Sequence, residues 1–194
     1  MTTLHTERLI LRPWTENDAS ALFELGSDPS IGLNAGWTPI RDILNAQEII
    51  RNVLSDDLTF AITQKDSNEL VGCISLKPVS EAVMSMIRHE SESKSVPEEA
   101  LDFDHSVEMG YWLGVPYRGK GFMREAAQTL LKYAFEDLSY TAVWALHEIS
   151  NRNSERVMEH LGMRGVGVVQ HVLMPNLPGV VFWDEHIHLI TYSE

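Results

Sequence analysis

Apolar and polar positions recur along this chain with a period that changes from two to about three and a half and back, and the changes mark its elements. The opening TERLILRPW reads as a short strand at Leu9 to Leu11. In TENDASALFELG, Ala19, Leu22, Phe23 and Leu25 return at helical spacing. Thr15 or Asn17 is the expected cap, and Gly26 with Asp28-Pro29 closes the segment. The glycine and proline content of DPSIGLNAGWTPIRD predicts a loop, and a second helix is expected from Ile43 to Leu54. LTFAITQ, the polar turn KDSNE and LVGCISLKP predict two antiparallel strands joined by a tight connection.

From Pro78 to His105 the pattern breaks down. HESESKS and VPEEALDFD are rich in Ser and Glu, so this stretch is expected to be a long, acidic, mobile insertion in which MSMI forms a short helix. Regular patterning resumes with VEMGYWLGV, a strand by its β-branched and aromatic content. PYRGKG follows, then a helix from Phe122 to about Leu138 with Ala126, Leu130, Leu131, Ala134 and Phe135 on one apolar stripe. AVWALHE predicts a strand, NRNSERVMEHLGM a helix, and RGVGVVQHVLM with GVVFWDEHIHLITY a closing pair of strands. The order is strand, two helices, three strands, helix, strand, helix, two strands. That order predicts an α/β (α+β) fold, a mixed sheet with helices packed on its faces.

A length of 194 residues with 44% apolar content supports one sizeable core, so a single compact domain is expected. No apolar run approaches the roughly 18 residues that cross a bilayer, and MTTLHTERL lacks a signal pattern. The expectation is a soluble, cytoplasmic protein. The lone cysteine, Cys73, sits in the apolar run LVGCISL and reads as a buried small hydrophobe. A net charge of −13 argues against nucleic acid or an anionic membrane as partner and suits a cationic or amine-bearing one.

Arg118, Gly119, Lys120 and Gly121 form a glycine-rich turn between a strand and a helix N-terminus. Such a turn is an anion site, because glycines let backbone N–H groups approach and the helix dipole favours negative charge. Two readings compete. GVPYRGKG, Gly114 to Gly121, falls one residue short of the Walker pattern, in which a final Ser or Thr hydroxyl binds magnesium; Gly121 has none, which argues against an NTPase. The other reading is a metal-free pyrophosphate cradle whose contacts come from backbone amides.

RGKGFMREA resembles the R-x-x-G-x-[GA] loop that holds the diphosphate of coenzyme A in the GNAT superfamily of N-acetyltransferases. Arg118 and Gly121 match, and Met123 stands where the family has Gly or Ala. TERLILRPWTENDASALFEL, EMGYWL and NRNSERVMEHLGM, with Asn151, Ser154, Val157 and Gly162 in register, resemble the branch that acetylates N-termini of ribosomal proteins (RimJ/RimL). The resemblance covers nearly the whole chain apart from Pro78 to His105. It implies a single N-acetyltransferase domain over residues 1–194, with a mainly antiparallel mixed sheet and the acidic insertion at about 78–105.

What the resemblance implies for chemistry is transfer of an acetyl group from acetyl-CoA to a primary amine, a protein N-terminus or a small molecule, by direct attack on the thioester. Such a reaction needs a neutral amine, a polarised carbonyl and a protonated leaving thiolate. Glu108 matches the carboxylate that removes the amine proton, through water; a solvated carboxylate on a polar strand face is the alternative. Residues Arg118, Gly119, Lys120, Gly121, Phe122 and Met123 are expected to hold the diphosphate, and the backbone around Leu113 and Val115 the pantetheine arm. Gly114 hints at a β-bulge between them. The position of the family's usual acidic Tyr is Met158, so Ser154 is the candidate to protonate the thiolate, or else caps its helix or bonds the local backbone. Asn151 is expected to meet the pantetheine amides, and Trp37 to line the acceptor pocket or pack on the core. His186 and His188 lie two apart and face one side of a strand; without further ligands in spacing they read as ordinary surface histidines, and no metal is expected.

The missing Tyr and Met123 leave a non-catalytic acetyl-CoA sensor as the alternative function. The insertion, which borders the active cleft in this fold, is expected to be a disordered, solvated loop, or else to screen for cationic acceptors. The acceptor and the choice between monomer and homodimer stay open.

Overall fold

The computed structural model describes residues 2–88 and 96–192. Two compact units divide the chain. The first comprises Met1–Ser75, Tyr111–Thr129 and Pro175–Gly179; the second comprises Leu76–Gly110, Leu130–Met174 and Val180–Glu194.

In the first unit β1 (Leu4–His5) and β2 (Leu9–Pro13) form a hairpin, and β2, β3 (Thr59–Gln64) and β4 (Leu70–Lys77) pair antiparallel in turn. Leu9 and Leu11 are fully buried because alternate residues of β2 face the core. A 3-10 turn, Glu16–Asp18, leads into α1 (Ala19–Gly26). The Asp18 carboxylate accepts the Thr15 N–H at 2.9 Å and receives both Arg12 guanidinium nitrogens at 2.8 and 2.7 Å, which ties β2 to the start of α1.

The expected loop after α1 contains a helix, α2 (Pro29–Ala35). Its glycine and proline content is helix punctuation: Asp28 accepts the Ser30 N–H, Pro29 takes the first turn, and Gly36 ends the helix at φ 79°. α3 (Ile43–Asn52) follows, capped by Asp42 through the Asn45 N–H at 2.7 Å. Leu22, Ile40, Ala46, Ile50, Ala61 and Leu70 make this unit's core, and the Cys73 thiol is buried among them.

In the second unit β5 (Ser106–Leu113), which runs on into the first unit after Gly110, pairs parallel with β6 (Ala142–Glu148). β7 (Arg164–Leu173) and β8 (Phe182–Thr191) pair antiparallel, and β8 also pairs antiparallel with β6. The mixed sheet thus has the strand order β1-β2-β3-β4-β5-β6-β8-β7.

The segment from Pro78 to His105 differs from the mobile insertion expected. It contains α4 (Glu81–Arg88) and short turns at Glu98–Ala100 and Phe103–His105. Val79, Val83, Met86, Val96 and Ala100 pack with Trp144, Ile187 and Leu189 in one core cluster. Scattered apolar residues among many Ser and Glu anchor the segment, and acidic composition hid them; the HESESKS run is residues 89–95, outside the described ones. The helix expected from Phe122 is α5 (Phe122–Lys132), continued by a π-turn at Tyr133–Asp137, and α6 (Arg152–His160) precedes β7. No helix among the described residues is long and apolar enough to cross a membrane.

Candidate active site

The glycine loop lies in the first unit. β5 ends at Leu113, and the Gly114 N–H donates to the Val71 carbonyl at 2.9 Å. Gly114 therefore ends the strand and starts a 3-10 turn, Val115–Tyr117, rather than bulging the strand as expected. A side chain at Gly114 would come within 2.8 Å of Leu25 and 3.0 Å of Tyr117, so close packing accounts for this glycine. Val115, expected to sit in extended backbone with Leu113, lies in the turn, and its carbonyl accepts the Arg118 N–H at 3.3 Å.

Gly119 and Gly121 both take left-handed backbone, at φ 73° and 78°. A Cβ at Gly119 would meet nothing within 4 Å, so its conformation and not crowding selects glycine there. The two reversals bring the chain into α5 at Phe122, whose first N–H groups have no intrahelical acceptor. Arg118 is exposed and reaches the Leu113 and Ser30 carbonyls at 3.4 Å, and Lys120 lies 5.5 Å from the centre of the Tyr117 ring. Met123, a departure from the family loop, points inward: its side chain is buried, so it does not crowd the turn.

The N-terminal TERL is bound to this loop. Thr6 Oγ1, the Arg8 N–H and the Arg8 guanidinium all donate to the Glu125 carboxylate, the last two at 2.7 Å. Arg8 also donates to the Lys120 carbonyl at 3.1 Å and lies 4.8 Å from the centre of the Phe122 ring. Burial would raise the Glu125 pKa, but the Thr6 and Arg8 hydrogen bonds outweigh it and hold the carboxyl below its usual range. No local pattern in either motif signals this staple, because Arg8 and Glu125 lie 117 residues apart. Trp37, half-buried, meets Trp112 edge to face at 6.1 Å on the first unit's core, which favours the packing role.

The second unit carries the carboxylates. Glu108 on β5 is half-buried, and its Oε2 accepts the Ser80 N–H at 3.1 Å. Burial raises its pKa, against the opposing effects of Ser80 and Lys77. Glu185 on β8 feels the Glu108 charge, and burial together with that repulsion pushes it up to about 7. Glu185 was missed in the sequence, although it continues the alternation of the buried Ile187 and Leu189 on one face of β8. Asn151 caps α6 through the Ser154 N–H at 3.2 Å, so the capping role falls to Asn151 and leaves the half-buried Ser154 hydroxyl to other partners. Met158, at the position of the family's Tyr, is buried in the core.

His186 and His188 are not ordinary surface residues. His188 is buried, and β6 supplies a third ring, His147.

Residues 8–164 match the family model of the acetyltransferase (GNAT) domain. The chain belongs to the GNAT acetyltransferase family. Among relatives, p20 of Bacillus licheniformis, an uncharacterized N-acetyltransferase, is 29% identical over 88% of this chain and 86% of its own. A GNAT-family acetyltransferase from Bacillus anthracis shares the fold with a TM-score of 0.76, at 24% identity over 98% of both chains. A ribosomal-protein-S5-alanine acetyltransferase from Vibrio fischeri does so with a TM-score of 0.69, at 19% identity over 98% of this chain and 97% of that one.

This GNAT chain is thus an acetyl-CoA-dependent acyltransferase, which favours an enzyme over a non-catalytic sensor. The family uses acetyl-CoA, and the loop fits that substrate's diphosphate: two left-handed glycines, open space at Gly119 and two cations stand before a helix N-terminus.

Proposed function

We propose that this protein transfers the acetyl group of acetyl-CoA to a primary amine, a protein N-terminus or a small amine, and that residues 1–194 act as one acetyltransferase domain. Backbone amides from Gly119 to Met123, with Arg118 and Lys120, hold the diphosphate, and the backbone at Leu113 and Val115 receives the pantetheine arm. The carboxamide of Asn151 meets its amides.

The observation that carries the amine reading is the half-buried Glu108, whose charge is felt by the half-buried Glu185. An amine attacks a thioester only when neutral, so a base must hold its proton. Glu108, raised by burial, is a stronger base than an exposed carboxylate. Glu185 shares the proton load near neutrality. As the amine nitrogen bonds to the acetyl carbonyl carbon, the carbon–sulfur bond breaks, the amine proton passes through water to Glu108, and the thiolate takes a proton from the Ser154 hydroxyl, which regains one from water as Glu108 releases its own to solvent. The Leu113 N–H polarises the carbonyl.

The acidic balance of the chain, −13, supports a cationic acceptor over an acidic one. The ribosomal-protein acetyltransferase named above supports a protein N-terminus among the candidates. Thiol release from acetyl-CoA, measured across a panel of small amines and N-terminal peptides, tests the proposal. Turnover with at least one basic amine or peptide is expected. Acetyl-CoA binding without thiol release for any acceptor overturns it.

A further inference from the structure

His147 on β6 stands directly opposite His186 on β8, and His188 lies one step further along the same face. The three rings form a closed triangle, with centroids 4.6 to 5.5 Å apart. One nitrogen from each lies within 4.8 Å of the others. His147 Nε2 and His188 Nε2 are 3.1 Å apart. Two nitrogen ligands of a tetrahedral zinc ion stand roughly 3.3 Å apart, as follows from bonds of about 2.0–2.1 Å.

The outer nitrogens give the cluster its meaning. His147 Nδ1 lies 2.8 Å from the Glu148 carbonyl oxygen, which only accepts, so Nδ1 carries the proton and Nε2 presents a lone pair. That is the outer contact that orients a metal-bound imidazole. The facing His188 Nε2 has two options. It can donate a proton to His147, which leaves its Nδ1 as a bare acceptor, buried and without a hydrogen bond of normal geometry. Or it presents a second lone pair to His147, with the Nδ1 proton on the side that the Met163 backbone favours. Two lone pairs aimed at one another need a cation between them.

The third ring is accommodated by the neighbouring strand: a Cβ at Gly165 of β7 would come within 2.8 Å of His186 Nε2. Glu155 on α6, paired with Arg152 at 2.6 Å, supplies negative charge toward all three rings.

We propose that His147, His186 and His188 form a three-imidazole site for one zinc-class divalent cation, with a fourth coordination position left for water. Borderline metals that favour imidazole suit it, Zn(II) and Co(II) before Mg(II) or Ca(II). The site links β6 to β8 and is separate from the carboxylates, because Glu185 points to the opposite face of β8 from His186 and His188.

The test uses the full chain without a histidine tag, stripped by chelator and titrated with Zn(II) and Co(II). One equivalent is expected to bind, to raise the melting temperature and, for Co(II), to give the visible absorption of a four-coordinate nitrogen site. His186→Ala, at a half-exposed ring, and Gly165→Val, which displaces that ring, should each weaken binding at least about tenfold. His105→Ala, at an exposed histidine elsewhere, should leave it unchanged. Absence of stoichiometric binding to the folded chain, or affinity that His186→Ala and Gly165→Val leave unaltered, overturns the proposal.

Discussion

Glu108 and Glu185 repel one another, and both are partly shielded from water, so protonation of one relieves the other and their titration belongs to the pair. The base must be ionised, so turnover should rise with pH with an apparent midpoint above the ordinary carboxylate range, because burial raises Glu108. In Glu185→Gln the repulsion is gone and that midpoint should move to lower pH, which a profile of kcat/KM against pH reads directly. Glu108→Gln should lower kcat roughly 100-fold or more while leaving affinity for coenzyme A intact. An unaltered kcat would remove Glu108 as the base.

The same shift has a stability consequence of fixed sign. Between the ordinary value of 4.5 and about 7 the folded chain holds a proton on Glu185 that the unfolded chain has lost, so stability falls as pH rises through that window. Denaturant unfolding of Glu185→Gln across the window should show a flatter profile. The acidity of Glu108 and Glu185 could not be read in the sequence, because it depends on what β5 and β8 bury around them. The identity of Glu108 as a candidate could, because it stands in EMGYWL.

α4 illustrates how composition misleads about an element. Its stretch is polar overall, yet Val83 and Met86 fall three apart and are both fully buried against β6, β7 and β8 residues. Met86→Ala should cost about 2–5 kcal/mol of unfolding free energy, whereas a mobile insertion would register no loss. The glycine loop is the converse case, an element whose conformation its own residues dictate. Gly121→Val places a β-branched residue at φ 78°, at a cost of about 1–3 kcal/mol, and should weaken coenzyme A binding as the amides turn away. Isothermal titration with coenzyme A, beside a melting curve, separates the two effects. α2 was hidden by reading Asp28-Pro29 and Gly36 as loop signals, when they are the cap, first turn and end of one short helix.

At the scale of the molecule, ligand choice follows from which loop the chain presents. Coenzyme A should raise the melting temperature, by the free energy of binding to the native state alone, while ATP with magnesium should not, because Gly121 has no hydroxyl for the metal. A thermal-shift comparison of the two ligands checks this. What the sequence by itself determined is local: the period of most strands and helices, the glycine turn at the head of α5 and the burial of Cys73. Each depends on neighbours within a turn or a strand. Only the tertiary structure decided the contacts between residues far apart in the chain. Strand register and helix docking bring Glu125 to Thr6 and Arg8, Glu185 to Glu108, and His186 and His188 to His147. A one-residue slip of β8 on β6 would turn the two histidines to the other face, so no pattern within either strand could reveal the triangle they complete.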